Sequence, residues 1–349
     1  MSVFTRKNKN IEVDVKHILT IAIPTFNRGE ILKCSIERIL PQIIKMKDYV
    51  SLLVSDNCST DDTEQIVKKF IPEYGDILQY NRNETNLGAQ GNFSTCVHLV
   101  KTKYIYLLGD DDVVPANFVS TIISILTMNG SIDILHMNYF VCHPRKRTLS
   151  SIYDYRKYND ILEIYSSSTQ FISEFLDGPS FMSSIVFNRD VWIEGETIFP
   201  ENCYGYQWLV KIYAGCKNKI CAFYSLPILI QEYGEACAYA DKCPLYFIVG
   251  KSRMFQYLDS IFHGVYKSWI AKQDKTVDTY INIISTAAYK KLYKNHKKEM
   301  LCYLTKWYQR LLFRCAITFF PGGKIMPRYV GPSLRRVDMI CRTIKEIFR

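Results

Sequence analysis

The chain has 349 residues, 48% of them hydrophobic, with 12 Cys and a formal net charge of +10. That length allows two domains, or one domain with an appendage, and the apolar content is ample for a core. No apolar run approaches the ~18 residues of a membrane-spanning helix, the charged N-terminus lacks the apolar stretch of a secretory leader, and no Cys/His cluster has zinc spacing. The cysteines are scattered, with no C-x-x-C pair. They read as reduced thiols of a cytoplasmic protein, with Cys34, Cys58 and Cys96 expected inside core elements. Charge is uneven. Residues 242–349 hold 21 Lys/Arg against 6 Asp/Glu, or +15, while the first 241 residues carry −5. The change of sign places a domain boundary near residue 240, giving 1–241 and 242–349, and suits an anionic partner for the second part.

In chain order, Ile18 to Ile23 reads as a buried strand, ended by Pro24, which cannot donate to a central ladder. Thr25, Phe26, Asn27 and Arg28 then stand at the strand's C-terminal mouth. A helix follows, with Ile31, Leu32, Ile36, Ile39 and Leu40 at helical spacing, up to Pro41. Val50 to Val54 is a second strand, ending in Asp56 and Asn57. A second helix starts at Thr63, with Asp61 as its cap. Ile77 to Asn81 is a third strand, ending at Arg82. Residues 86–92, NLGAQGN, form a Gly/Asn turn before a helix over Phe93 to Lys101. Tyr104 to Leu108 is a fourth strand, closed by Gly109 and three consecutive carboxylates, Asp110, Asp111 and Asp112. Phe118 to Met128 is helical and Ile132 to Tyr139 is another strand.

Alternating strands and helices of these lengths give right-handed crossovers and a mostly parallel sheet. Ligands of such sheets bind beyond the carboxyl ends of the strands. Thr25 to Arg28, Asp56, Arg82 and the aspartate triplet all fall at such ends. Three adjacent carboxylates repel one another, and a hard divalent cation such as Mg²⁺ or Mn²⁺ would neutralise them and grip a diphosphate. Each piece also has a plainer reading. Thr25 and Asn27 suit helix caps, Arg82 a solvated charge, and Asn86 and Gly88 a turn needing positive φ.

Taken together and in this order, IPTFNR, VSDNCSTDD, NLG…GN and GDDD resemble a family 2 nucleotide-sugar glycosyltransferase of the GT-A fold. The most similar subgroup is the abequosyltransferase-like enzymes of bacterial surface-polysaccharide assembly. The resemblance covers about residues 17–130 strongly and 170–215 weakly. It implies a Rossmann-like α/β domain and metal-dependent, inverting sugar transfer from a nucleotide-sugar donor to a glycan or polyprenyl-linked saccharide acceptor. It also implies that Pro24, Thr25, Asn27, Arg28, Asp56, Asn57, Arg82, Asn86, Gly88 and Asn92 line the donor pocket. Asp110, Asp111 and Asp112 would contact ribose, diphosphate and the Mg²⁺ or Mn²⁺ ion.

A departure from the family pattern falls at the helix after residue 205. Relatives place an acid there to deprotonate the acceptor hydroxyl, but Tyr206 and Gln207 stand in the matching positions. Glu201 and Asp177 are the nearest carboxylates that could act as base. Beyond Leu245 the pattern is helical and basic. Trp269, Trp307, Phe319 and Phe320 lie among Lys306, Arg310 and Arg314, as in helices that rest on an anionic membrane surface. A solvated helical cap or an oligomer contact suits the same pattern, and no nucleic-acid motif is present. Two other functions fit parts of the sequence. A nucleotidyltransferase would need a Gly-rich phosphate loop, which IPTFNRGE matches poorly, and a degenerate binding subunit would explain Gln207.

Overall fold

In a computed structural model of the chain, residues 17–143, 148–176, 181–198, 205–232 and 250–273 are described. The chain divides into two compact units, residues 1–199 with 208–235, and residues 200–207 with 236–349. The first begins as a strand–helix alternation: β1 (Leu19–Thr25), α1 (Gly29–Lys45), β2 (Val50–Asp56), α2 (Thr63–Lys68), α3 (Ile71–Tyr74), β3 (Leu78–Arg82), α4 (Gly88–Leu99), β4 (Tyr104–Leu107) and α5 (Phe118–Met128). It continues with β5 (Ile134–His143), β6 (Thr148–Ser151), β7 (Leu162–Tyr165), α6 (Ser168–Phe175), β8 (Ile185–Asn188), α7 (Arg189–Glu196), α8 (Gln207–Gly215) and β9 (Cys221–Glu232), the first residue of α8 belonging to the second unit.

One sheet runs β3-β2-β1-β4-β8-β5-β9-β7, with β6 on β5. The stretch β3-β2-β1-β4 is parallel throughout, as the crossover pattern demands. From β4 onward the sheet is mixed, because β8 runs antiparallel to both of its neighbours, β4 and β5. Strands β1 and β2 are buried almost along their whole length, so they read as continuous apolar runs rather than alternating ones. Leu32, Ile36, Ile39 and Ile43 of α1 and Phe118, Ile122 and Leu126 of α5 join these strands in one core. Gln42 ties the two helices by donating to the Pro115 carbonyl and accepting from the Val119 N–H.

Several sequence expectations are corrected here. Pro24 does not end β1, which pairs in register through Thr25↔Asp56. Pro41 lies inside α1, which runs on to Lys45. Its ring is on the exposed face, as is Glu37 one turn earlier, so the carbonyl that loses its partner can bond to water. The turn read over 86–92 is largely the first turns of α4, with Gly88 at φ 70° opening it. Cys34 is exposed and Cys58 is half-buried, so of the three thiols expected inside only Cys96 is in the core.

In the second unit α9 (Lys251–Asp259) and α10 (Val265–Gln273) pack together through Phe255, which stacks on Trp269 at 5.1 Å between ring centroids. Trp269 is fully buried. It is therefore a core residue and not one of the surface aromatics expected to meet a membrane. Trp307, Phe319, Phe320, Lys306, Arg310 and Arg314 lie outside the described residues. Among the described residues no helix is long and apolar enough to cross a membrane.

Candidate functional site

The order β3-β2-β1-β4 makes the chain step outward from β1 to β3 and then return to the other side of β1. The carboxyl ends of β1 and β4 thus flank a topological switch point, where open α/β sheets leave a crevice. What fills it follows from the two loops. After β1, Asn27 adopts φ 53°, a left-handed conformation that Asn tolerates. The loop after β2 turns at Cys58, with φ 65°. The two are cross-tied. The Asn27 N–H donates to Ser59 Oγ at 2.8 Å, and the Thr60 N–H donates to Asn27 Oδ1 at 2.7 Å. Asp61 accepts from the Gly29 N–H and the Thr63 N–H, capping α1 and α2 at once.

This bracing delivers Arg28 to the end of β4. Its guanidinium forks, with one nitrogen 2.6 Å from Asp110 Oδ1 and the other 2.7 Å from Asp111 Oδ2. Thr25 Oγ1 donates to the second oxygen of Asp110 at 2.8 Å, and Ser35 Oγ holds the Asp110 carbonyl. Burial pushes the Asp110 carboxyl up to about 6, with Asp111 adding to the rise, against the opposing pull of Arg28 and Thr25. Burial also works against the charge of Arg28, but Asp110, Asp111 and Asp112 outweigh it and hold its pKa above the ordinary value. Asp112 turns away, to the hydroxyl of Ser183, which itself accepts from the Gly109 N–H.

The triplet therefore does not converge as a closed three-carboxylate cage. Among the described residues no group of three or more His, Cys, Asp and Glu is arranged to hold a metal ion. The positive charge expected from a cation is supplied at Asp110 and Asp111 by Arg28. Asp111 is the accessible member, with 39% of its side chain exposed against 6% for Asp110. A lone accessible carboxylate of hard oxygen donors still fits a Mg²⁺ or Mn²⁺ ion that brings its remaining ligands as water and diphosphate.

The neighbouring polar network is built on Asp56, which has no exposed surface. One carboxylate oxygen accepts from the Ser59 N–H at 2.9 Å and the other from Tyr80 Oη at 2.7 Å, with Arg82 Nε 3.7 Å away. Arg82 also donates to the Ser59 carbonyl. Desolvation and the Asp56 carboxylate raise the Tyr80 pKa well above its ordinary value, so the phenol keeps its proton and remains a donor. Asn57 and Asn92 turn inward. Asn57 donates to Asn86 Oδ1 and the Gly88 carbonyl and accepts from the Leu87 N–H, fixing the loop over 84–88. Asn92 is joined to Ser55 and Asn83. Pro24 is half-buried beside Thr25.

The structure thus brings together Thr25, Arg28, Asp110 and Asp111 in one cluster, and Asp56, Asn57, Arg82, Asn86, Gly88 and Asn92 in the adjoining network. Ser59, Tyr80, Asn83 and Ser183 complete it; Ser59 falls inside the VSDNCSTDD segment, while no sequence signal singles out Tyr80, Asn83 or Ser183. Glu201 and Asp177, the expected bases, lie outside the described residues. Gln207 opens α8, and its side-chain oxygen is buried with no hydrogen-bond partner. Asp56→Ala removes the buried partner of Tyr80 and Arg82 and should cost about 1–3 kcal/mol in urea unfolding, the usual loss for a hydrogen bond to a charge. An unchanged unfolding midpoint would refute it.

Residues 20–183 match the model of a family described as Glycosyl transferase family 2. The chain is 26% identical over 186 residues to abequosyltransferase RfbV of Salmonella typhimurium, covering 50% of this chain and 54% of that protein. It is 29% identical over 104 residues to the GalNAc(5)-diNAcBac-PP-undecaprenol beta-1,3-glucosyltransferase of Campylobacter jejuni, covering 30% and 33%. The chain thus spans about half the length, or less, of these curated relatives. Among solved structures, S. aureus TarS residues 1–349 superpose with a TM-score of 0.57 at 14% identity, over 86% of this chain and 87% of that one. That likeness gives the fold, a GT-A type mixed α/β domain.

Proposed function

We propose, from the match of residues 20–183 to the Glycosyl transferase family 2 model, that this chain moves a sugar, with inversion, from a nucleotide-sugar donor to a glycan or lipid-linked saccharide in bacterial surface-polysaccharide synthesis. The observation that carries the reading is the convergence of Thr25, Arg28, Asp56, Arg82 and Asp111 at the carboxyl ends of β1 to β4. A nucleoside diphosphate requires those features together: a polar recess for the base, a cation and a carboxylate for the diphosphate, and a crevice between them. The names of the relatives, an abequosyltransferase and an undecaprenol-linked glucosyltransferase, support the substrate class.

The residues divide the work. Asp56, held by Tyr80 and the Ser59 N–H, shapes the base end. Asn57 fixes the loop over 84–88 against it. Arg28 faces the diphosphate. Asp111 would hold a Mg²⁺ or Mn²⁺ ion, and such an ion, when bound, takes up charge as the nucleoside diphosphate leaves. Incubating the protein with a panel of nucleotide sugars and following metal-dependent hydrolysis tests the reading. Slow release of one nucleoside diphosphate is expected. No donor binding or hydrolysis across the panel would refute it, and nucleotidyl transfer to a sugar phosphate would replace it.

The acceptor hydroxyl needs a base. Glu201 is the first choice and Asp177 the reserve, since Gln207 cannot take a proton near neutral pH. Glu201→Gln should lower turnover with donor affinity little changed, the mark of a transition-state interaction. If Glu201→Gln stays near wild type while Asp177→Asn is inactive, the role passes to Asp177. Activity in both would place the base elsewhere. The 242–349 region, at +15, would bring the enzyme to the cytoplasmic face of an anionic membrane as a peripheral protein. Each basic residue near the surface contributes roughly 1 kcal/mol. The protein should then sediment with anionic vesicles at low salt, and charge reversal of Lys306, Arg310 and Arg314 should release it. A protein that ignores such vesicles has no membrane surface of this kind.

A further inference from the structure

We propose that Arg28 is a built-in counter-ion that occupies the acidic cluster until donor arrives, so that a divalent cation gains full access to Asp110 and Asp111 only together with a nucleotide. The inference rests on the glycosyltransferase reading above and concerns the order in which that site is filled.

Three observations carry it. First, the guanidinium engages two carboxylates at once, 2.6 Å from Asp110 and 2.7 Å from Asp111. Each oxygen it contacts is one that a cation would take, so the guanidinium and the cation are alternatives there. Second, Asp110 is buried and its other oxygen is committed to Thr25. A buried carboxylate is costly without a positive partner, so the cluster has to be neutralised before any ligand binds, and Arg28 does it. Third, Arg28 has somewhere to go. A third of its side chain is exposed at the crevice mouth, and it stands at the N-cap of the 17-residue helix α1. The helix end favours anions and disfavours a cation. A diphosphate placed there would meet both the helix terminus and the fork of Arg28, which matches phosphate oxygens as well as it matches carboxylates. Donor would thus draw the guanidinium off the aspartates and leave them to the incoming ion.

The consequence is positive coupling between metal and nucleotide, and weak binding of metal alone. The test titrates Mn²⁺ into the full-length protein without nucleotide, reading free ion by its electron paramagnetic resonance signal. Wild type should bind weakly. Arg28→Ala should bind Mn²⁺ at least tenfold more tightly, and adding Asp111→Asn should remove the gain. Because Arg28→Ala leaves two carboxylates facing each other and could lower stability, Arg28→Gln serves as the second variant. It keeps a hydrogen bond to one carboxylate without the charge and should show an intermediate gain. If both variants bind Mn²⁺ no more tightly than wild type, the assignment is wrong. A gain in Mn²⁺ affinity together with no binding of any nucleotide sugar would keep the counter-ion role and overturn the donor reading instead.

Discussion

Asp111→Asn should lower metal-dependent turnover by a factor on the order of 10²–10³, the scale of losing one charge-stabilising group at the reacting centre. The substitution keeps the side chain's size and one acceptor oxygen. What it removes is the negative charge of the accessible carboxylate in the cluster, the one whose side chain is 39% exposed. Stability should change by less than about 1 kcal/mol, because an exposed ion pair contributes little and Arg28 retains Asp110. Loss of turnover with an unchanged melting temperature is therefore the expected pair of results. Asp110→Asn should behave differently. Its carboxyl is buried and accepts from both Thr25 and Arg28, so stability and turnover should both move. Asp111→Asn at near wild-type turnover with saturating Mn²⁺ would contradict the role given to the carboxylate, as would full wild-type activity in excess EDTA.

The largest stability effect is expected away from the site, where α7 crosses α8. Gly195 and Gly215 let the two backbones touch. A Cβ on Gly215 would fall inside the Val191 carbonyl, and one on Gly195 inside the Lys211 carbonyl. Neither obstacle is a flexible side chain, so the helices themselves would have to separate. That separation would also break the contacts around Glu196, whose carboxylate accepts from Trp192 Nε1 at 2.8 Å and Lys211 Nζ at 2.7 Å and lies 3.0 Å from His98 Nε2. Burial opposes the Glu196 charge, but these partners hold its pKa down to about 2. Gly215→Ala should cost about 3 kcal/mol or more in urea unfolding. A loss under about 1 kcal/mol would show that the crossing yields easily.

Much of the N-terminal half is legible because strong local signals agree with the fold. The helix over Phe118 to Met128 has the bounds its periodicity gives, and β1 to β4 fall on the apolar runs. The misreadings have local causes. Pro24 and Pro41 look like stops, yet one pairs along a strand and the other faces water on a helix. Strand β9 is not among the strands expected from the sequence. It holds Pro227, and its pairing with β5 shifts register between Met137 and Tyr139, so the proline is absorbed by an irregularity that no short-range pattern encodes. At the site, the Asp triplet and Arg28 each stand out in the sequence. Their pairing does not, because the partners are 82 and 83 residues apart and meet only after β1 and β4 become neighbours. Tyr80 on Asp56 and Ser183 on Asp112 are hidden for the same reason.

A nucleotide-sugar over the carboxyl ends of β1 to β4 has a crystallographic signature. Crystals of the protein grown with Mn²⁺ and UDP, with GDP, CDP and dTDP as the other arms, should show one of these with its base end beside Asp56 and Arg82 and its diphosphate between Arg28 and Asp111. A nucleotide bound away from those residues would rule that placement out, as would a cluster that none of the four enters.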